Sequence, residues 1–183
     1  EEEKDRVFQT ILDKVNQIKY ELDILKRPAE FYYEENFSIK SVLRTSLSLI
    51  KKDIKSRDLY LKTDFQKNLP LYYGRRGIFI EFFTEFFRKV VNCTDKSGKI
   101  IITIRQENDE LAISIIQDKI SQFCQDLYNY FELSLKDEKE IKFAKAFIDF
   151  KDIGGRVIID KDVQGRGLYK IIIPESADVS NRD

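Results

Sequence analysis

Apolar and charged positions alternate over the first 28 residues with the period of an α-helix. Six apolar residues recur at spacings of three and four, which places them on one face of the helix, and Pro28 ends it. A lone helix of this length is marginal in water, so we expect its stripe to pair with the same helix of a second subunit. The stripe consists of Val7, Ile11, Val15, Ile18, Leu22 and Leu25.

An extended link, residues 29–37, separates this helix from a second apolar pattern. Ser38 is a good N-cap, and the residues after it predict a helix with one apolar face and one basic face. Leu59 to Phe65 then alternates apolar and polar residues, which is typical of a half-buried strand. Asn68 to Gly74 carries the residues of a loop. The apolar face of the helix consists of Ile39, Leu43, Leu47, Ile50 and Ile54.

The middle of the chain combines a strongly apolar helix with a hairpin. The helix starts near Phe79 and runs into a polar turn that ends at Gly98. Two runs rich in β-branched residues follow, on either side of Glu107–Glu110, and they predict a β-hairpin that ends at Asp118. We interpret the phenylalanines of the helix as core. They are Phe79, Phe82, Phe83, Phe86 and Phe87.

The last third predicts a helix from about Glu138 to Asp152, ended by Gly154 and Gly155. A hairpin that turns at Gln164–Arg166 follows it. This order favours an α+β fold, a two-layer α/β sandwich with a mostly antiparallel sheet and helices on one face. We divide the chain into a dimerisation or docking helix (1–28), a linker (29–37), a globular domain (38–175) and a polar tail (176–183).

Composition narrows the functional classes. Lys plus Arg equals Asp plus Glu at 32 each, so no net field attracts nucleic acid or an anionic membrane. No apolar run approaches the roughly 20 residues of a membrane helix, and the acidic start is unlike a signal peptide. We therefore expect a cytoplasmic protein. Cys93 and Cys124 show no metal or redox spacing, and we expect both to be reduced.

The order of helix, polar turn, hairpin and acidic residue resembles the ATP-binding domain of sensor histidine kinases. The wider class, called GHKL or Bergerat, includes gyrase and MutL. In that family a helix reads roughly N-L-L-x-N-A-x-K-x-T, and a Gly-Lys-Ile strand, a partner strand and Asp-x-Gly-x-Gly follow. Ile153 to Glu175 resembles the family's closing strands, and Glu21 to Ile39 resembles the junction between the end of its dimerisation helix and the extended link. The resemblance implies the same two-layer fold.

The residues that would bind nucleotide differ from the family pattern. Thr94 and Gly98–Ile100 match the motif. This alignment places Glu85 at the first Asn of the helix and Lys89 at the second Asn. In the family, the second Asn binds Mg²⁺. Asp118 falls on the adenine-binding Asp. The residues after it, Lys119-Ile120-Ser121-Gln122, lack both glycines, and the family's Gly-Leu-Gly-Leu segment aligns with Glu140-Ile141-Lys142-Phe143. Bulky Ile120 and Phe143 therefore stand at or near the places where glycines let the nucleotide approach.

Asp118, Glu85 and Lys89 are the candidate residues of a vestigial nucleotide site, and each has a plainer interpretation. Asp118 can simply be a polar residue that ends a strand. Glu85 stands where the gyrase branch has its general base, yet Glu four residues before Lys89 is also an ordinary helix ion pair. Lys89 could contact phosphate or lie on the solvated flank of the helix. We assign no catalytic and no metal-binding residue.

The sequence contains no histidine, so the chain cannot carry a phosphohistidine. We expect a pseudo-histidine kinase, a signalling module that regulates without its own phosphotransfer and needs no cofactor. One alternative is an atypical active kinase that uses ATP and Mg²⁺, with its phospho-acceptor histidine outside this chain. Another is a small-molecule sensor that uses the altered cavity. The resemblance implies a response regulator or a kinase as partner, besides self-association through the helix.

Overall fold

The apolar runs of the globular part form a β-sheet and the helices that cover it. The structure, a computed structural model, describes residues 33–107, 110–118, 138–161 and 166–173, together with the single position Val15. The helices in these ranges are α1 (Ile39–Leu49), α2 (Lys51–Ser56), α3 (Arg76–Cys93) and α4 (Glu138–Asp152). The strands are β1 (Glu35–Phe37), β2 (Tyr60–Phe65), β3 (Tyr72–Gly74), β4 (Lys99–Glu107), β5 (Glu110–Gln117), β6 (Arg156–Lys161) and β7 (Gly167–Ile173).

The main sheet of the described chain has five strands in the order β2-β4-β5-β7-β6. β2 lies parallel to β4, and the other neighbours are antiparallel. Burial alternates along β4: Ile100, Ile102 and Ile104 are buried, whereas Ile101 and Thr103 are half-buried. One face of the sheet therefore lies on the core. The predicted fold class, a mixed and mostly antiparallel sheet packed with helices, is confirmed.

α3 lies at the centre of the helix layer. The ring of Phe86 contacts Tyr169 of β7 with 5.6 Å between centroids, which fixes α3 on the sheet. On another side, Phe82 stacks on Phe150 of α4 at 3.9 Å. These contacts, together with those of α1 on the remaining flank, bury the five predicted core phenylalanines to 2% exposure or less. The prediction that they form core is therefore confirmed.

α1 begins where the sequence predicts it but ends earlier. Ser38 is extended, and its carbonyl accepts hydrogen bonds from the amides of Ser41 and Val42 at 2.9 and 3.1 Å. Its side chain makes no capping hydrogen bond. The predicted continuous helix through Ile54 is interrupted at Ile50, where φ is −103° and ψ is 11°. The fully buried Ile50 side chain holds this interruption against the core.

A second, two-stranded sheet was not predicted from the sequence. β1 pairs antiparallel with β3, and Phe37 lies opposite Tyr72. The prediction that Tyr72–Gly74 belongs to a loop is therefore wrong. Each strand has three residues, which is too short for an alternating pattern to be recognised.

The end of α4 confirms the predicted glycine stop. Gly154 has φ of 89°, and its amide donates to the carbonyl of Lys151 at 2.8 Å. The amide of Gly155 donates to Phe150 at 3.0 Å. This pair of bonds is a Schellman motif, in which the first residue beyond the helix takes a left-handed conformation.

Some predicted features lie outside the described residues. Of the N-terminal stripe the structure describes Val15, which is helical and 54% exposed; Val7, Ile11, Ile18, Leu22 and Leu25 lie outside it. The residues 119–137, with Ile120 and Cys124, the turn residues 164 and 165, and the tail 176–183 also lie outside. Among the described helices, none is long and apolar enough to cross a membrane.

Candidate functional site

The turn between α3 and β4 is held by the residues that carry the family resemblance. Thr94 is buried, and its hydroxyl donates to the carbonyl of Val90 at 2.7 Å. The Thr94 carbonyl accepts a hydrogen bond from Arg57 Nη2 at 2.9 Å. A Cβ on Gly98 would lie 2.6 Å from Thr94 Cγ2 and 2.8 Å from the Asp95 carbonyl oxygen, which leaves no room for a larger residue. The packing of this turn therefore explains why Thr94 and Gly98 occupy their positions.

Glu85 lies on α3 and is engaged with a basic neighbour. Its Oε1 accepts a hydrogen bond from Nη1 of Arg88, and the Glu85 side chain is 14% exposed. Arg88 Nε also lies 3.8 Å from Asp53 Oδ2 of α2. The guanidinium thus bridges two carboxylates on adjoining helices. In this arrangement the Glu85 carboxylate neutralises Arg88, which is a structural role.

Lys89 lies one turn after Glu85 on the same flank of α3. Its Nζ is 5.7 Å from the centroid of the Phe143 ring, a cation–π contact with a side chain of α4 that is itself buried. A magnesium ion needs oxygen ligands, and an ammonium group repels it. The described residues at this position therefore do not fit the metal of the family's nucleotide.

Asp118 closes the β4–β5 hairpin at its open end. Its Oδ2 accepts a hydrogen bond from the amide of Lys99 at 2.8 Å, and its own amide donates to the Lys99 carbonyl at 3.3 Å. The Asp118 side chain is exposed. Glu85 and Lys89 thus share a flank of α3, and Asp118 is held separately by the backbone of β4.

Gln117, which the sequence analysis missed, is the residue that faces the interior at the end of β5. It is fully buried, its Nε2 donates to the carbonyl of Cys93 at 2.9 Å, and its Oε1 accepts from the hydroxyl of Tyr169 at 2.8 Å. The alternation of the strand could have identified Gln117 from the sequence. Ile113, Ile115 and Gln117 are two residues apart and share the buried face of β5, whereas a strand side chain one position after Gln117 points to the opposite face.

Aromatic rings of α3, α4 and β7 pack against one another beside the Gln117 bridge. Phe86 contacts Phe143 with 6.4 Å between centroids as well as Tyr169, and Phe143 contacts Phe147 at 6.0 Å. Phe143 is 1% exposed, so the residue beside the second aligned glycine position is packed into the core. Among the described residues no group of three or more His, Cys, Asp or Glu side chains could hold a metal ion.

Comparison with solved structures gives the fold a family name. The catalytic domain of the histidine kinase ThkA, in a nucleotide-free form, superimposes with a TM-score of 0.64, 13% identity, and coverage of 79% of this chain and 97% of that one. This chain has the fold of a histidine kinase catalytic domain. The recognition made from the sequence is confirmed at the level of fold.

Further solved structures of histidine kinases share this fold. The kinase AdeS of Acinetobacter baumannii matches over 93% of this chain and 84% of its own, with a TM-score of 0.62 and 14% identity. ThkA in complex with the response regulator TrrA matches over 93% of this chain and 50% of its own, with a TM-score of 0.61 and 15% identity. By sequence, no family model matches the chain, and no curated protein matches it.

Proposed function

We propose that the chain is a pseudo-histidine kinase, a signalling module that binds partners and regulates them without phosphotransfer of its own. One observation carries the proposal. The position of the metal-binding amide holds Lys89, whose ammonium lies over the buried ring of Phe143. A cation at this place opposes Mg²⁺, and the segment that ends in the packed Phe143 carries Glu140 and Lys142 where the family has glycines. The similarity of the fold to histidine kinase catalytic domains supports a role in signal transduction.

The interior end of β5 supports the same proposal. Asp118, the aligned adenine-binding carboxylate, is exposed, and its Oδ2 is engaged by the amide of Lys99. The side chain that faces inward is Gln117, and both ends of its amide already have protein partners. A base that enters here would have to replace these bonds, and a broken buried hydrogen bond costs about 1–3 kcal/mol.

The proposed partners follow from the same likeness. ThkA is known in complex with a response regulator. By analogy, a response regulator or a partner kinase is the partner of this chain, and the helix of residues 1–28 joins two copies of it. The chain binds no nucleic acid and acts in the cytoplasm. The linker, residues 29–37, transmits movement of the helix to the globular domain.

The test of the proposal is an isothermal titration of the chain with ATP, in magnesium and in an excess of EDTA. As a control, circular dichroism checks that the sample is folded. We expect no heat of binding up to about millimolar ATP, where the binding free energy is only about 4 kcal/mol. No autophosphorylation is expected either. A micromolar dissociation constant that requires magnesium would refute the proposal and support the alternative of an active kinase.

A further inference from the structure

The first buried residue after position 33 lies in an aromatic triangle. Phe37 is 6% exposed, and its ring lies 5.6 Å from Tyr72 and 5.3 Å from Phe79 between centroids. Tyr72 and Phe79 are themselves 5.0 Å apart. Each ring therefore touches the other two, so that removing one leaves both of the others with a void.

The triangle continues into the end of α4. Phe79 contacts Phe150 edge to face at 5.9 Å. The carbonyl of Phe150 accepts the amide of Gly155, and a Cβ on Gly155 would lie 2.3 Å from the Phe150 ring. The stop of α4 is therefore built around the same phenylalanine that touches the triangle. A chain of direct ring contacts joins β1 to the last turn of α4.

The attachment of β1 depends chiefly on Phe37. β1 has three residues and, among the described strands, pairs with β3 alone; within it Glu35 and Asn36 are exposed. Glu35 lies 3.9 Å from Arg76, but the carboxylate side chain is 55% exposed, and ion pairs of this kind contribute little. A two-stranded pairing this short is only marginally stable unless its side chains are buried. Removing Phe37 from its place would thus detach the strand.

We propose that Phe37 is a coupling residue, which joins the position of the chain before β1 to the stability of the last turn of α4. When Phe37 is docked, Phe79 is supported and holds Phe150. When the preceding chain pulls Phe37 out, the void at Phe79 loosens Phe150 and the turn at Gly154 and Gly155. The proposal rests on the proposed function, because it names the residue through which the linker acts on the globular domain.

Amide hydrogen exchange followed by NMR tests this coupling in the whole chain. The variants are Phe37→Leu and Phe37→Ala, with Asn36→Ala as a matched control on the same strand. In both Phe37 variants we expect exchange at the Gly154 and Gly155 amides to become roughly tenfold faster than in the parent, because these amides report local opening. Exchange in the β4–β5 hairpin and in the Asn36→Ala variant should stay as in the parent.

Two outcomes would overturn the proposal. Faster exchange confined to β3 would mean that Phe37 docks without coupling to α4. An equal acceleration in the β4–β5 hairpin would mean that Phe37 is an ordinary core residue. If Phe37→Ala fails to fold, Phe37→Leu retains most of the apolar volume and supplies the measurement. The exchange experiment uses no nucleotide, so its failure would leave the proposed lack of ATP binding untouched. Conversely, a finding that the chain binds ATP would not contradict the coupling.

Discussion

Tyr169 donates a hydrogen bond to Oε1 of Gln117 at 2.8 Å, and both residues are fully buried. The same amide donates to the carbonyl of Cys93, the last residue of α3. One side chain thus connects the end of β5, the middle of β7 and the end of the central helix. A buried polar group that is bonded at both ends stabilises one arrangement of these elements over others.

Tyr169→Phe tests this bridge. The substitution keeps the ring against Phe86 but leaves the Gln117 oxygen without its donor, and we expect a loss of about 1–3 kcal/mol of unfolding free energy. Urea denaturation measures it. Tyr60→Phe, at an exposed tyrosine, is the control and should change stability by no more than about 0.5 kcal/mol. Equal effects of the two variants would show that the bridge contributes nothing.

The elements with a strong period were predictable, and so was their order. The α3 helix, the β4–β5 hairpin and the glycine stop at Gly154 follow from spacing and turn chemistry alone. The matched Thr94 and Gly98 also marked the fold, since both are required by the packing of one turn. Predictions of this kind succeed because local sequence and tertiary packing agree.

The rest depended on contacts between distant segments. β1 and β3 are defined by pairing with each other, and neither has a pattern of its own. The Gln117 bridge needs Tyr169, 52 residues away. Gln117 itself was predictable, because the alternation of Ile113 and Ile115 places it on the core face. Aligning Asp118 by motif alone ignored that strand period.

Gly155→Ala should destabilise the chain because the new methyl group would overlap the Phe150 ring. We expect about 1–3 kcal/mol, as for other overpacked cores, measured by thermal unfolding. In a Phe150→Leu background this penalty should shrink, since the side chain that it meets is smaller. Gly154→Ala is the control: its penalty comes from the positive φ and should be the same in both backgrounds. If Gly155→Ala costs as much stability in the Phe150→Leu background as in the parent, the overlap with the Phe150 ring is not the cause.

Tyr72 predicts an alkaline limit to stability. Burial, and then the charge of Glu34, raise the pKa of the Tyr72 phenol above its ordinary value of 10.0. The folded state therefore holds the proton more tightly than the unfolded state. The contribution is complete below about pH 10 and is lost as the pH rises through the raised pKa, with a slope of up to about 1.4 kcal/mol per pH unit.

Urea denaturation of the parent and of Tyr72→Phe between pH 8 and about 11 measures the contribution of Tyr72. The difference in unfolding free energy between the two proteins should be constant below about pH 10 and should move in favour of the phenylalanine variant above it. Tyr60→Phe, at an exposed position, is the control. A difference that does not depend on pH would contradict the assigned cause.

Lys89→Asn should not restore nucleotide binding. The change supplies the amide of the family motif, but Gln117, Phe143 and the Arg88 contact of Glu85 stay as they are. Loss of the cation–π contact should lower stability by about 0.5–1 kcal/mol. Lys96→Asn, at an exposed lysine, is the control. Calorimetry that detects ATP binding to the Lys89 variant alone would show that the lysine is the sole obstacle.

Self-association through the N-terminal helix is the prediction that rests on the most regular pattern of the chain. Val15 is helical and 54% exposed within one chain, as expected for a stripe residue that a second copy would cover. Replacing Val15 and Ile18 by Lys would bring charges into that seam. Charged groups are very costly to bury without a partner, so the dimer should dissociate.

Size-exclusion chromatography with light scattering measures the association at tens of micromolar. We expect a dimer for the parent and a monomer for the Val15→Lys, Ile18→Lys variant, with the circular dichroism of the globular domain retained. Asn16→Lys with Gln17→Lys adds the same charge beside the stripe, since positions one and two residues away face other directions on a helix. This control variant should remain dimeric. A parent that is already monomeric, or a stripe variant that unfolds entirely, would mean that the helix packs on its own domain.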